Sequence, residues 1–416
     1  MKFLDNATKK ALYSLAKILF IVGLAIAVPR FFANYDKAQL DAEKESQELV
    51  LGSERFLHDE SCMRFVKDGS FALICDNPHE KCSLINRLAA KKIKPKHLFL
   101  AQEKKDTFKK FSYDQDFCCV SFKGFEKHKA RFKDLRTIVF DVQGLGIRSD
   151  LATYLLKNLM SLAIESDTRL VVVDNPNPLG GRVEGPGRIP LRHGLTNGEL
   201  ARYLNEVEFG GAVLLNVIAM KGWSRGILTT SLYRDGRDVM QEAAIYNFLA
   251  PFSCVEQFCV FSGDDIIESA QNIETPILSF APSQELSEWE WGYLCDLLDG
   301  NGVACSRSKE KAMQVGLRLE FINTSDEFDT FGAFLKVMKF FSNRKRFTIT
   351  FQDGFDDDVG SNSVKGALQN KIPFKSLIAE IESTNKAFCR DVQNYLMYSP
   401  RPYFVSMGSI KVSRAG

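Results

Sequence analysis

Thr137-Ile138-Val139-Phe140-Asp141, running on into Val142-Gln143-Gly144-Leu145-Gly146-Ile147-Arg148, decides the fold when taken with a second run, Leu170-Val171-Val172-Val173-Asp174. Both runs are short, apolar and β-branched, and both end in an aspartate. A helix-length segment of about four turns separates them. That is the pattern of a βαβ unit in a parallel sheet. Open sheets of this class bind ligands in the crevice beyond the carboxyl ends of their strands. Asp141, Gln143, Arg148, Asp174, Asn175, Asn177 and Glu184 are therefore expected at one rim.

Upstream, Phe71 to Cys75, His97 to Ala101 and Phe117 to Phe122 read as strands, with a helix from about Glu80 to Lys92. Downstream, Thr196 and Glu199 form a capping box, in which hydroxyl and carboxylate satisfy free backbone N–H groups reciprocally. It opens a helix running through Leu204, followed by a strand from Ala212 to Met220 and a loop over residues 221–226. From about Ser262 the texture changes. Strands are expected at Ile277 to Phe280, Val315 to Phe321 and Phe347 to Phe351. Helices are expected at Gln284 to Leu298, Phe328 to Phe341, Ile378 to Glu382 and Arg390 to Tyr398. The expected fold class is α/β: a Rossmann-like parallel-sheet domain over residues 49–262, then a smaller α/β domain over residues 263–416.

The N-terminus reads differently. Ala11 to Val28 is apolar except for Ser14 and Lys17, and follows Lys9-Lys10. Its uncharged part, Ile18 to Val28, is short for a spanning helix of about 20 residues and suits a signal-peptide core. Ala25-Ile26-Ala27 offers a cleavage site. Without cleavage, the segment is an N-terminal hydrophobic helix that anchors the chain in a membrane, Lys17 reaching the interface. Residues 1–30 are thus signal or anchor and residues 31–48 a polar stalk, with a buried amphipathic helix as the competing reading. Either export reading makes the body periplasmic or membrane-anchored outside the cytoplasm.

A chain of 416 residues exceeds what one core usually supports. Its 45% hydrophobic and 25% charged residues are ordinary for a folded globular protein. A net charge of +2 provides no field for nucleic acid. The ten cysteines show no CxxC or zinc-like spacing. Cys75, Cys259 and Cys295 sit in apolar runs and read as small buried hydrophobes, and disulfides stay open if the chain is exported. His193 has no second histidine at ligand spacing, so no metal is expected. Gly144 and Gly146 lack the third glycine of a dinucleotide fingerprint, so no cofactor is expected either. The absence of a G-x-S-x-G elbow argues against a serine hydrolase of the α/β type.

Chemistry concentrates after Asp174, in Asn175-Pro176-Asn177-Pro178-Leu179-Gly180-Gly181-Arg182-Val183-Glu184-Gly185-Pro186. Three Pro-containing turn signals and a Gly-Gly pair impose a fixed, mostly non-helical path. It delivers Glu184 near Arg192 and His193, where a carboxylate can act as general acid or base. Equally, Glu184 can pair with Arg182, Arg188 or Arg192 and hold the loop. Asp141 and Asp174, ending their strands, either bind ligand hydroxyls or cap the next helix.

Asp174 to Gly181, then Val183-Glu184-Gly185-Pro186, then Ile189-Pro190-Leu191-Arg192-His193-Gly194-Leu195-Thr196, together resemble the NamZ-type exo-β-N-acetylmuramidases. Leu51 to Leu57 is similar to that family's opening helix, and Phe140-Asp141-Val142-Gln143 with Gly146 and Arg148 to its D-x-Q-D-x-G-x-R motif. Met220 to Trp223, Phe355-Asp356 with Gly360-Ser361, and Tyr395 to Tyr398 also match. The resemblance implies a Rossmann-like domain with a smaller α/β domain, and an exported glycoside hydrolase that releases N-acetylmuramic acid from peptidoglycan fragments. Such cleavage uses two carboxylates. Glu184 holds the place of the Glu in V-E-G-P. Asp141, Gln143, Arg148, Asn177, Arg192 and His193 are the implied substrate-binding residues, with Arg148 or Arg192 on the lactyl carboxylate.

The chain departs from the pattern in places that matter. Gln102 stands where the family's P-E-H-G carries Glu, leaving Glu103, one residue later, as the second candidate catalytic carboxylate. Gly144 replaces the second Asp of D-x-Q-D. Gly187-Arg188 joins V-E-G-P directly to the R-H-G motif, and the family's S-E-G-R-G-T-T run is absent. The rival expectation is therefore a catalytically silent relative that binds cell-wall sugars or a protein partner.

Overall fold

The computed structural model describes residues 49–76, 84–101, 117–121, 124–225, 233–234, 237–262, 265–266, 277–280, 286–299, 303–308, 316–321 and 329–405. The expected N-terminal helix and stalk, the first residues of the helix expected from Glu80, and Gln102 and Glu103 lie outside these. Among the described residues no helix is long and apolar enough to cross a membrane.

The chain opens with α1 (Gly52–His58), α2 (Glu60–Met63), β1 (Phe71–Cys75), α3 (Leu84–Ala90), β2 (His97–Ala101) and β3 (Phe117–Val120). It continues through β4 (Thr137–Asp141), α4 (Leu151–Glu165), β5 (Arg169–Val173), β6 (Arg182–Val183), α5 (Asn197–Val207) and β7 (Leu215–Ile218). Six of these strands form a parallel sheet in the order β3-β2-β1-β4-β5-β7. Helices cover both faces, which is why the central strands are apolar at every position rather than at alternate ones. Ala72, Ile74, Ile138, Phe140, Leu170 and Val172 pack with residues of α4 and α5. Phe71, Leu73, Val139, Val171 and Val173 point the other way, among residues of α1 to α3. Asp150 caps α4, accepting from Thr153 N at 2.7 Å, and the expected Thr196/Glu199 capping box opens α5.

A short hairpin, β8 (Tyr233–Arg234) and β9 (Arg237–Asp238), leads to α6 (Val239–Leu249) and the second sheet. That sheet consists of β10 (Phe258–Ser262), β11 (Asp265–Ile266), β12 (Ile277–Phe280), β13 (Val303–Ser308) and β14 (Gly316–Phe321), with α7 (Glu288–Asp299) between β12 and β13. Its order is β11-β10-β12-β14-β13, and every pairing is antiparallel. Its core gathers around α8 (Thr330–Ser342), whose Phe331, Phe334, Leu335, Val337 and Met338 are fully buried. Then come α9 (Phe355–Val359), α10 (Asn362–Leu368), α11 (Phe374–Asp391) and β15 (Tyr403–Phe404).

Several expectations need correction. Phe347 to Phe351 forms no strand; only Phe351 bridges, to Val255. The two helices expected near the end are one, α11, followed by a 3₁₀ turn at Val392–Tyr395. This segment returns to the first sheet: Phe388 and Val392 join its core, and β15 pairs with β6. Cys75 is buried, but Cys259 is exposed on β10, and Cys295 is bonded to Cys305, tying α7 to β13.

Candidate functional site

The chain lays β1, β2 and β3 outward in one direction, then returns to start β4, β5 and β7 in the other. The strand order thus reverses between β1 and β4, and at such a switch point the two flanking loops part and leave a crevice. Cys75 lies opposite Asp141 in the register, so Asp76 and Asp141 end neighbouring strands at its mouth. Asp76 accepts a hydrogen bond from the Gln143 backbone N at 2.8 Å. The Gln143 amide donates to the carbonyls of Gly144 and Pro176, each at 2.7 Å. Asn175 donates to Asp141 at 3.3 Å. Asp141 and Asn175 are nearly buried, whereas Gln143 and Asp76 are half-buried. Asp76 was not singled out from the sequence. The signal was there, since it closes β1 as Asp141 and Asp174 close their strands.

The other candidates lie beneath or beside this rim. Asn177 is buried, its amide donating to Leu195 O and its carbonyl accepting from Leu179 N, both at 2.9 Å. Gly146, at φ +75°, runs against it; a Cβ there would meet Asn177 Oδ1 at 2.2 Å. Gly144 is constrained too, because a Cβ would come within 2.6 Å of Asn197 Oδ1, whose amide holds Val142 O at 2.9 Å. The aspartate of the family motif would have to displace the Asn197 side chain from this position.

Glu184 is 6% exposed and saturated. Its Oε1 meets Arg182 Nε at 2.6 Å and Arg192 Nη1 at 3.0 Å. Its Oε2 accepts from Thr330 N at 3.1 Å, Thr330 Oγ1 at 2.7 Å and Phe331 N at 3.4 Å. The two N–H groups are those left free at the start of α8, where the helix dipole favours an anion. Asp329 caps the same helix through Gly332 N at 2.8 Å. Burial, then the Glu184 charge, pushes its carboxyl up. Glu184 was expected to face the crevice; its carboxylate instead ties the loop after β5 to the second core. Arg192 is committed to Glu184 and Leu179 O, so it is not presented to a substrate carboxylate.

His193 is 1% exposed, and its Nδ1 accepts from Leu195 N at 3.1 Å. That assigns the proton to Nε2, an atom with no hydrogen-bond partner. Burial, with Arg148 adding, holds its pKa down at about 3, so the ring is neutral near pH 7. Arg148 belongs elsewhere. It donates to Pro186 O at 3.1 Å, Ile189 O at 2.8 Å and Asp358 O at 2.8 Å, and it lines a separate cavity beside α9. Asp141 and Gln143 therefore share the crevice, while Asn177, Glu184, Arg192 and His193 build the loop below it. Among the described residues no group of His, Cys, Asp and Glu could hold a metal.

Behind the rim a buried network fastens the end of the chain. Asp174 accepts from Gly198 N, Thr196 Oγ1 and Tyr398 OH, each at 2.8 Å. Burial, then the Glu199 charge nearby, raises its pKa to about 7. Glu199 accepts from Met397 N at 2.8 Å and pairs with Arg225, which also donates to the carbonyls of Gly194, Tyr398 and Pro400. Arg225 and Asp174 thus lock the loop from residue 174 to 196 against the C-terminal segment.

The family described as "Exo-beta-N-acetylmuramidase NamZ, N-terminal" matches residues 85–235, a stretch that contains Asp141, Gln143 and the whole loop after β5. The peptidoglycan β-N-acetylmuramidase NamZ of Bacillus subtilis (strain 168) is 25% identical over 295 residues, covering 64% of this chain and 68% of that one. Two solved DUF1343 family proteins of Bacteroides fragilis NCTC 9343 share the fold. One has a TM-score of 0.62 at 18% identity, covering 84% of this chain and 99% of its own. The other has a TM-score of 0.59 at 17% identity, covering 85% and 100%. The motifs, the matched stretch and the fold agree in making the region from residue 85 to 235 similar to the N-terminal part of the NamZ family.

Proposed function

We propose that the protein is a glycoside hydrolase acting on peptidoglycan-derived sugars, which releases N-acetylmuramic acid from their non-reducing ends. The observation that carries this reading is that the stretch similar to NamZ supplies one side of the switch-point crevice, where Asp141 and Asp76 close adjacent strands. Glycosidic cleavage needs one carboxyl group to protonate the leaving oxygen and a second to attack the anomeric carbon or activate water. Asp141 and Asp76 are the carboxylates that the described rim offers. Glu103 follows β2 by two residues and stays a candidate for the second role. Gln143 and Asn175 would orient sugar hydroxyls. Glu184 enters as a positioning group, since every direction around its carboxylate is already taken.

The test is release of chromophore from a chromogenic N-acetylmuramide by wild type, Asp141→Asn and Asp76→Asn. Turnover by wild type that falls at least a hundredfold in Asp141→Asn is expected. A wild type that neither turns over the substrate nor binds N-acetylmuramic acid overturns the reading. Turnover untouched by Asp141→Asn removes the reaction from this crevice.

Export of the body belongs to the same reading. The Cys295–Cys305 disulfide supports it, because such bonds persist in oxidising compartments. Fractionation of cells carrying a C-terminal reporter checks it, and a cytoplasmic reporter with an intact N-terminus refutes it.

A further inference from the structure

A cavity of about 450 Å³ opens between α4, the end of α5 and α9, away from the switch-point crevice. Arg148, Lys157, Arg188, Glu208, Asp356 and Asp357 line it. It lies where the chain takes its short path through Gly187-Arg188. Its wall is built with care. Arg148 is wedged between Gly187 and Gly360, both at positive φ, and a Cβ at either would fall about 2 Å from its guanidinium. Three hydrogen bonds to backbone carbonyls hold that guanidinium in place, leaving two of its five donors.

The charges in the wall decide what fits. Lys157 and Glu208 pair with each other at 3.2 Å. The same wall also holds Arg148 and Arg188, the latter donating to Val207 O at 3.3 Å, together with the carboxylates Asp356 and Asp357. A bare anion would meet the carboxylates and a bare cation the arginines, so neither suits the whole cavity. Asp356 is half-buried and Asp357 exposed in this wall. Arg148, Asp356 and Gly360 are also among the residues that carry the resemblance to the NamZ family, yet none belongs to the crevice.

We propose that this cavity binds a small zwitterion, its carboxylate held by Arg148 and Arg188 and its ammonium by Asp356 and Asp357. The volume is within the range of small-ligand sites and exceeds the needs of a single amino acid, which favours a short unblocked peptide. The site is independent of hydrolysis at the crevice.

Calorimetry tests this with four ligands: alanyl-alanine, its N-acetyl derivative, its C-terminal amide and free alanine. Wild type binds alanyl-alanine saturably, and each blocked form binds at least tenfold more weakly. Asp356→Asn weakens the unblocked dipeptide at least tenfold and leaves the N-acetyl form unchanged; Arg188→Ala does the converse, sparing the amide. Alanine matching the dipeptide points to an amino acid as the zwitterion, and a dipeptide preference points to a peptide. No saturable binding of either, or equal affinity for blocked and unblocked dipeptide, overturns the proposal. If a variant fails to fold, the blocked ligands on wild type still separate these outcomes.

Discussion

Glu184→Gln separates the two roles open to this carboxylate. The substitution keeps the shape and removes the charge. It leaves Arg182 and Arg192, both nearly buried, facing an amide, and turns an amide N–H₂ toward either the guanidinium groups or the α8 N–H groups. Removing one partner of a buried ion pair typically costs about 3–5 kcal/mol, because the remaining charge is left uncompensated. The carboxylate's favourable interaction with the α8 dipole is lost within that figure. Each 1.4 kcal/mol is roughly a factor of ten, so the unfolding equilibrium should shift by roughly two to three and a half powers of ten. With a urea m-value of about 3 kcal/mol/M, the midpoint should fall by about 1–1.7 M. Trp223 reports the first sheet and Trp291 the second core, so fluorescence follows both sides of the bond that Glu184 makes. A midpoint within about 0.3 M of wild type, together with lost turnover in the folded enzyme, would refute the structural role and return Glu184 to catalysis.

Three further outcomes are expected. Asp174 is raised to about 7, so its folded-state preference for the proton makes stability fall as pH climbs from about 4 to 7; His193, lowered to about 3, makes stability fall as pH drops from about 6.5 toward 3. Each contributes about 1.4 kcal/mol per pH unit inside its window, so the two oppose between pH 4 and 6.5, and Asp174→Asn should unmask the His193 slope in urea midpoints measured across that range; identical slopes in both proteins would reject this. Gly144→Asp, which restores the family's second aspartate, should cost about 1–3 kcal/mol by overpacking against Asn197 and give no gain in turnover, as thermal melting and the chromogenic assay would register. Cys305→Ser removes a link between residues ten apart and should lower stability by about 3 kcal/mol under oxidising conditions, a difference that disappears when both proteins are reduced.

What the sequence determined by itself is local. The apolar runs at residues 71–75, 137–141 and 170–173 specify buried parallel strands because no alternating pattern interrupts them. The capping box at Thr196 and Glu199 likewise involves groups three residues apart, whose geometry a helix start dictates. The motifs also placed Asp141 and Gln143 at the rim, since both follow directly from where β4 ends. The tertiary structure decided everything that depends on distant partners. Glu184 reads as a proton donor on a rigid loop until the start of α8, 146 residues later, closes over it. Phe347 to Phe351 has strand-forming residues but no partner strand beyond one bridge, and backbone pairing cannot be inferred from one side of a ladder. The end of the chain reads as two helices, Ile378 to Glu382 and Arg390 to Tyr398, yet α11 runs unbroken to Asp391 with Asn385 buried, because packing outweighs weak local propensity. Arg148 sits in a recognisable motif, but only the approach of Gly360 from the far end of the chain shows which cavity it lines. Short-range chemistry is written in neighbouring residues, whereas burial and charge pairing are properties of segments that meet only after folding.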